Sequence, residues 1–418
     1  MASPVYPANR VLLLLVLSVT INYVDRGALS VSAPYIAREM SVGPAQMGLL
    51  FSAFFWSYSI FQLPAGLLAD RYEVKRLLGA GYLLWSLATA SVGWIFRFDF
   101  LLCARMLLGV GESVAYPTYS RILAREFPEH RRGFANALLD AGSKLGPAAA
   151  TLVGALVVDR FGWRTLFLCL GFGGLIWLLP WAAWVPETGT PATGTPGTRE
   201  DGNRPGVLDI MRRREAWGTC LGMFALGYVW YFLLSWLPSY LVAEREFSMR
   251  TVAVLGSLPF VAMAVSSLLA GWLSDRWIAS GAPVALVRKT FVMGGLLLCS
   301  VTLLPAAAAR QPRLSILLLI LSCSALGLFT SNVWAITQTL AGTAASGAWT
   351  GIQNAIGNLG GVVSPALTGM IVDWTGSYYL SFAAASAILV VGAASYLIFV
   401  GEIRPLNWSR NAGTVARA

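Results

Sequence analysis

Apolar residues run through this chain in blocks of about twenty, separated by short polar turns. A hydrocarbon core about 30 Å thick takes roughly 20 helical residues to cross. Blocks of that size recur at about 11–37, 45–69, 77–96, 100–124, 134–157, 163–185, 216–242, 251–274, 289–309, 314–338, 346–372 and 378–400. The pattern predicts an all-α integral membrane protein of twelve transmembrane helices. The turns are too short to hold a soluble domain. The first block is too long for a removable signal peptide and lacks a small-residue cleavage site. The longest polar stretch, about 186–214, is dominated by Thr, Pro and Gly before a basic cluster at Arg212 to Arg214, which suits a flexible linker. It divides the helices six and six, giving a bundle over 1–185 and a second over 215–418, with a cavity expected between them.

Composition agrees with the pattern. Hydrophobic residues make up 56% of the 418 and charged residues 12%, about half the charge of an ordinary soluble domain. The net charge of +10 raises the possibility of a nucleic-acid partner, but its distribution excludes one. With the N-terminus in the cytoplasm, most Lys and Arg fall in cytoplasmic turns, including Arg71, Lys75, Arg76, Arg121, Arg125, Arg131 and Arg132. That bias orients membrane helices and puts both termini in the cytoplasm. Short outer turns without an Asn-x-Ser/Thr site point to a bacterial inner membrane as the location. The five cysteines (Cys103, Cys169, Cys220, Cys299, Cys323) lie inside apolar blocks without paired or metal-site spacing, and read as small buried residues. The single histidine, His130, stands in a charged turn. No nucleophilic triad, metal cluster or phosphate loop is visible, so neither enzyme chemistry, a metal nor a cofactor is expected.

Six ionisable residues break the apolar blocks: Asp25, Arg26, Arg105, Glu112, Asp140 and Lys144. A charge at membrane depth costs a few kcal/mol or more, and persists where it pairs, faces a cavity or moves ions. Asp25 and Arg26 stand near the middle of the first block. Arg105 and Glu112 are seven apart, two helical turns on one face, with Gly109 and Gly111 between them allowing close helix approach. Asp140 and Lys144 are four apart in the acid-before-base order that pairs well. Lys144 serves either as a cation for a substrate carboxylate or as the neutralising partner of Asp140, and spacing alone leaves both open. The second half has no intramembrane charge. It offers Tyr228, Tyr231, Ser331, Asn332, Trp334, Gln338, Gln353 and Asn354, neutral hydrogen-bonding and aromatic groups that suit hydroxyls and a carbon skeleton.

The halves repeat each other. Gly66-Leu67-Leu68-Ala69-Asp70-Arg71 ends the second block and Gly271-Trp272-Leu273-Ser274-Asp275-Arg276 the eighth. Such duplication is typical of transporters whose two bundles rock about a central site. The stretch Gly66 to Arg76 resembles the loop motif of the major facilitator superfamily, and the repeat, the linker and Pro186-Glu187-Thr188 extend the resemblance over nearly the whole chain. Asn22-Tyr23-Val24-Asp25-Arg26, the Arg105 and Glu112 pair, and Gly357-Asn358-Leu359-Gly360-Gly361 are similar to the anion:cation symporter branch, which includes sugar-acid symporters, sialin and vesicular glutamate transporters.

The resemblance implies roles. Glu112 is a protonation site with Arg105 an electrostatic switch near it. Tyr58, Trp334 and Asn354 match substrate-contacting positions. Near Ser143 and Lys144 the sugar-acid members commonly carry a neutral side chain, so Lys144 departs from them. Asp70, Arg71, Asp275 and Arg276 match a gate latch that pairs in one conformation and releases in the other. The combined expectation is a monomeric, proton-coupled symporter of a small organic anion working by alternating access. Asp25 and Glu112 take protons, and Arg26, Tyr58, Arg105, Ser143, Lys144, Ser331, Trp334 and Asn354 hold substrate. A proton-coupled drug or metabolite antiporter of the same fold is the alternative; three intramembrane bases count against a cation-seeking site.

Overall fold

The computed structural model describes residues 8–126, 129–185 and 205–408. Side chains within the helices are outside that description at a few positions, among them Asp70, Arg71, His130 and Ser331. Apolar blocks become helices because a helix satisfies its own backbone hydrogen bonds where no water can. The first half holds α1 (Ala8–Met40), α2 (Pro44–Arg71), α3 (Val74–Val92), α4 (Phe98–Ser113), α5 (Ala115–Glu126), α6 (Glu129–Ala149), α7 (Ala155–Phe161) and α8 (Trp163–Trp184). The fourth expected span is α4 plus α5, and the fifth is α6 plus α7 with a π-helical turn between them at Ala150–Gly154. The described end of the expected linker is not extended. It forms a short helix, α9 (Val207–Met211), capped by Asp209, whose Oδ2 accepts from Gly206 N at 2.9 Å.

The second half holds α10 (Arg214–Ala243), α11 (Met249–Ala279), α12 (Val284–Ala308), α13 (Pro312–Thr375) and α14 (Tyr379–Ile398). The tenth and eleventh expected spans are two limbs of α13, Pro312–Gly342 and Ala348–Thr375, parted at Gly342. Gly342 has φ 61° and ψ −173°, a backbone that only glycine adopts at low cost. Among the described residues, nine helices are long and apolar enough to cross a membrane by length and composition, and α2, α3 and the α4 and α5 pair are the remaining helices expected to do so.

The two bundles meet at one end of the molecule, and glycine makes the meeting close. A Cβ at Gly48 would lie 2.4 Å from the Pro365 carbonyl oxygen, and one at Gly369 would lie 2.4 Å from that of Pro44. Ser52 Oγ donates to the Val362 carbonyl at 2.6 Å, and Ser30 Oγ to that of Ser235 at 2.7 Å. Farther around the rim, Arg250 of α11 pairs with Asp159 of α7 at 3.2 Å. Behind this seal Phe51 meets Trp236 and Phe55 meets Tyr231, with ring centroids 5.3 and 4.3 Å apart.

At the opposite end a strap formed by residues 399–408 crosses the break in α13. Leu406 N donates to the Leu340 carbonyl and Trp408 Nε1 to that of Ala341, each at 2.9 Å. Arg213 donates to the Asn407 carbonyl at 2.8 Å, and Lys289 Nζ to that of Val400 at 2.5 Å. The burial expected of the cysteines holds for Cys220, Cys299 and Cys323, whereas Cys103 and Cys169 lie on the outer surface of the bundle.

Candidate functional site

Arg26 leaves α1 toward α2 and α4. Its Nε and Nη2 both donate to Glu112 Oε2, at 3.1 and 2.9 Å. Both side chains are sealed, at 3% and 0% exposure. The guanidinium also lies 4.6 Å from the ring centroids of Tyr23 and Phe54 and 5.0 Å from that of Tyr58. A planar, weakly hydrated cation tolerates such an aromatic box better than an ammonium would. Glycine lets α4 approach: a Cβ at Gly109 would lie 2.2 Å from Ser57 Oγ of α2, and one at Gly111 2.8 Å from Trp85 N of α3.

Asp25 turns the other way, as neighbouring residues on a helix must. Its Oδ2 accepts from Thr89 Oγ1 of α3 at 3.3 Å. Arg105 is buried with its guanidinium 5.3 Å from the Phe54 ring centroid. Asp25 Oδ1, Glu112 Oε1 and Arg105 Nε are buried without a hydrogen-bond partner among the described residues. The sequence set Arg105 beside Glu112 on one helix face; in the folded chain the direct partner of Glu112 is Arg26.

Between the bundles lies a cavity of about 200 Å³. Tyr23, Tyr58 and Tyr116 face it from the first half, with Asp140, Ser143 and Lys144 of α6. From the second half come Met223, Trp230 and Tyr231 of α10, Met263 of α11, and Thr330, Trp334, Asn354 and Asn358 of α13. Asp140 and Lys144 are the charged side chains of this wall. Lys144 Nζ stands 2.5 Å from Asp140 Oδ1; the lysine side chain is 5% exposed and the aspartate 52%.

The expected site residues divide into two groups. Tyr58, Ser143, Lys144, Trp334 and Asn354 line the cavity. Asp25, Arg26, Arg105 and Glu112 form the buried cluster, separated from the cavity by Tyr23 and Tyr58. Asn332 accepts from Arg288 Nη1 at 2.7 Å, and Gln353 accepts from Thr337 at 2.5 Å, so both serve helix packing. At the expected latch, Asp275 pairs with Arg288 at 2.9 Å and Arg276 lies over the Trp272 ring; Asp70, Arg71 and Ser331 have side chains outside the described residues. Tyr116, Met223, Trp230, Met263, Thr330 and Asn358 were missed as wall residues. Asn358 stood inside the Gly357 to Gly361 motif and so had a signal; Thr330 and the apolar or aromatic others carry nothing that marks them until the helices are assembled.

A two-bundle helical fold with buried charge beside a central cavity has known counterparts. The sequence model described as Major Facilitator Superfamily matches residues 15–365. The chain belongs to that superfamily. Within it, the hexuronate transporter of Bacillus subtilis (strain 168) is 30% identical over 412 residues, 97% of each chain. The D-galactonate transporter of Escherichia coli O6:H1 is 28% identical over 94% of this chain and 95% of its own. A probable sulfoacetate transporter of Cupriavidus necator is 32% identical over 95% of both. A bacterial homologue of the human lysosomal transporter Spinster, solved in an inward-facing and unoccupied conformation, shares the superfamily fold at TM-score 0.79 and 20% identity, covering 95% of this chain and 97% of that one. The chain is thus a membrane transporter and not an enzyme, and the expected superfamily resemblance stands.

Proposed function

We propose that the chain carries a small organic anion together with protons, the two bundles exposing the cavity alternately to each side of a bacterial inner membrane. The observation that supports this most is the sealed Arg26 and Glu112 pair directly behind the cavity's tyrosines. Protonating Glu112 removes the negative partner of Arg26, so the positive field of Arg26 and Arg105 is then felt across the tyrosines by an anion in the cavity. Deprotonation restores the pair and removes that attraction. Proton and anion therefore favour each other's occupancy, as symport requires. Asp25 sits on the α3 side of the same cluster and takes a second proton. Names borne by the relatives support a carboxylate or sulfonate cargo. The antiporter reading is weaker, since the acid on the cavity wall, Asp140, is already paired with Lys144.

In the same proposal the division 1–185, 186–214 and 215–418 holds, the chain acts as a monomer and both termini are cytoplasmic. The sealed end then faces outward and the strap inward, so the structure is inward-facing. Asp275 and Arg288 form the second-half latch at the cytoplasmic end. The test is uptake into proteoliposomes. Glu112→Gln fixes the protonated state, so it should lose accumulation driven by a pH gradient while keeping exchange of labelled for unlabelled anion. Accumulation equal to wild type would remove Glu112 from coupling.

A further inference from the structure

Resting on that reading, we infer that Lys144 is the anchor for the substrate's anionic group, that Asp140 is its displaceable stand-in, and that the cavity selects small carboxylates or sulfonates with few hydroxyl groups.

Three observations lead there. Charge comes first. Arg26 is occupied by Glu112 and boxed by rings, and neither it nor Arg105 reaches the cavity surface, whereas Lys144 lies on it. An ammonium has three donors. One of them meets Asp140 Oδ1 at 2.5 Å, and among the described residues the other hydrogen bond is a long one, 3.5 Å, to the Asp140 carbonyl.

Exposure comes second. The two members of the pair are unequal: the lysine is packed into the wall at 5% exposure, while the aspartate is 52% exposed and faces the cavity. A carboxylate that stays half-solvated can swing away from its partner without the desolvation cost that holds a fully buried pair together. An incoming anion can then take the position of Asp140 on Lys144. The four-residue spacing on α6 keeps the stand-in in reach when the cavity is empty, so the cation is neutralised between cycles.

The third observation is the wall opposite. Met223, Leu226, Trp230, Met263 and Val333 are apolar or nearly so. Several hydroxyls of the cavity already donate inside the protein: Tyr231 to Asn358 Oδ1 at 2.9 Å, Thr330 to the Gly327 carbonyl at 3.1 Å, and, beside Lys144, Ser143 to the Asp140 carbonyl at 2.6 Å. Hydroxyls of a polyhydroxylated body that fall against these thioether and indole surfaces would lack partners, and each unmade hydrogen bond weakens binding. A compact apolar or aromatic body has no hydroxyls of its own to leave unpaired there.

The experiment is titration calorimetry on the purified full chain with phenylacetate, sulfoacetate and D-galactonate. We expect one of the first two to bind at least tenfold more tightly than D-galactonate. Lys144→Gln should weaken that ligand about tenfold or more, and Lys144→Arg should restore most of the loss. Asp140→Asn removes the competitor and should tighten binding several-fold; a static structural pair predicts weaker binding and a lower melting temperature instead. Should Lys144→Gln fail to fold, the Asp140→Asn result decides alone, because the lysine is intact in it. Binding unchanged in Lys144→Gln, or weakened in Asp140→Asn, overturns the role given to the pair. Tighter binding of D-galactonate overturns the substrate class. Failure of all three anions to bind the wild-type chain overturns the organic-anion reading beneath it.

Discussion

Gly48→Ala should force the sealed end of the molecule open. The new Cβ would stand 2.4 Å from the Pro365 carbonyl oxygen and 3.2 Å from the Cα atoms of Ala366 and Gly369. Ordinary contact begins at 3.4 Å, so α2 and the second limb of α13 must part by about 1 Å. Both partners are backbone, and a helix cannot rotate them aside as it would a side chain. Overpacking of this kind costs about 1–3 kcal/mol. Under the proposed alternating access the cost falls only on the sealed conformation, because these helices separate in the other. A bias of that size moves a two-state equilibrium roughly 5- to 150-fold.

The reporter is Ser52→Cys in a background lacking the native cysteines, labelled with a maleimide in detergent. Ser52 is fully buried in the seal, with its hydroxyl on the Val362 carbonyl. Adding Gly48→Ala should raise its labelling rate by the same factor. Gly66→Ala, where a Cβ would meet nothing within 4 Å, should leave it unchanged. Equal labelling rates with and without Gly48→Ala, at equal melting temperature, would refute the claim that backbone contact closes this end.

Two further outcomes follow from the packing. Arg26→Gln and Glu112→Gln each break a pair sealed from solvent and should each cost about 3–5 kcal/mol, while the double variant should cost clearly less than their sum; additive losses in melting experiments would show that the two do not act as a pair. Gly342→Ala places a Cβ at φ 61° and ψ −173°, a region essentially reserved for glycine, and should cost about 1–3 kcal/mol, read as a lower melting temperature, and an unchanged value would mean that the break in α13 relaxes freely.

Much of the architecture was readable from block length alone, because hydrocarbon thickness dictates it. The four charges Asp25, Arg26, Arg105 and Glu112 were readable for the same reason, each standing out against apolar neighbours. Their pairing was not. Spacing along α4 put Arg105 and Glu112 on one face, but Arg26 reaches Glu112 from a helix 86 residues away in sequence, and only tertiary packing brings it there. The wall of the cavity was legible where a motif marked it, as at Trp334 and Asn354. Met223, Trp230 and Met263 gave no sign, since facing a cavity and facing a neighbouring helix call for the same residue types. The break at Gly342 was hidden too: the blocks at 314–338 and 346–372 showed two spans, yet not that a single glycine turns one into the other.

The strap over that break has a consequence for how the protein is made. Trp334 and Asn354, on either side of Gly342, belong to different limbs of α13, and their spacing depends on the angle at the break. The groups that hold the angle, Leu406 N and Trp408 Nε1 on the carbonyls of Leu340 and Ala341, lie beyond α14. A ribosome works from N- to C-terminus, and early segments begin to fold before later ones exist. The first bundle, with its buried charges, is complete long before the strap emerges. The second wall of the cavity acquires its clasp only after α14 has entered the bilayer. Maturation of the cavity is therefore a late event in biogenesis, and a nascent chain halted within α14 would hold the buried charged cluster without a finished wall for the cavity.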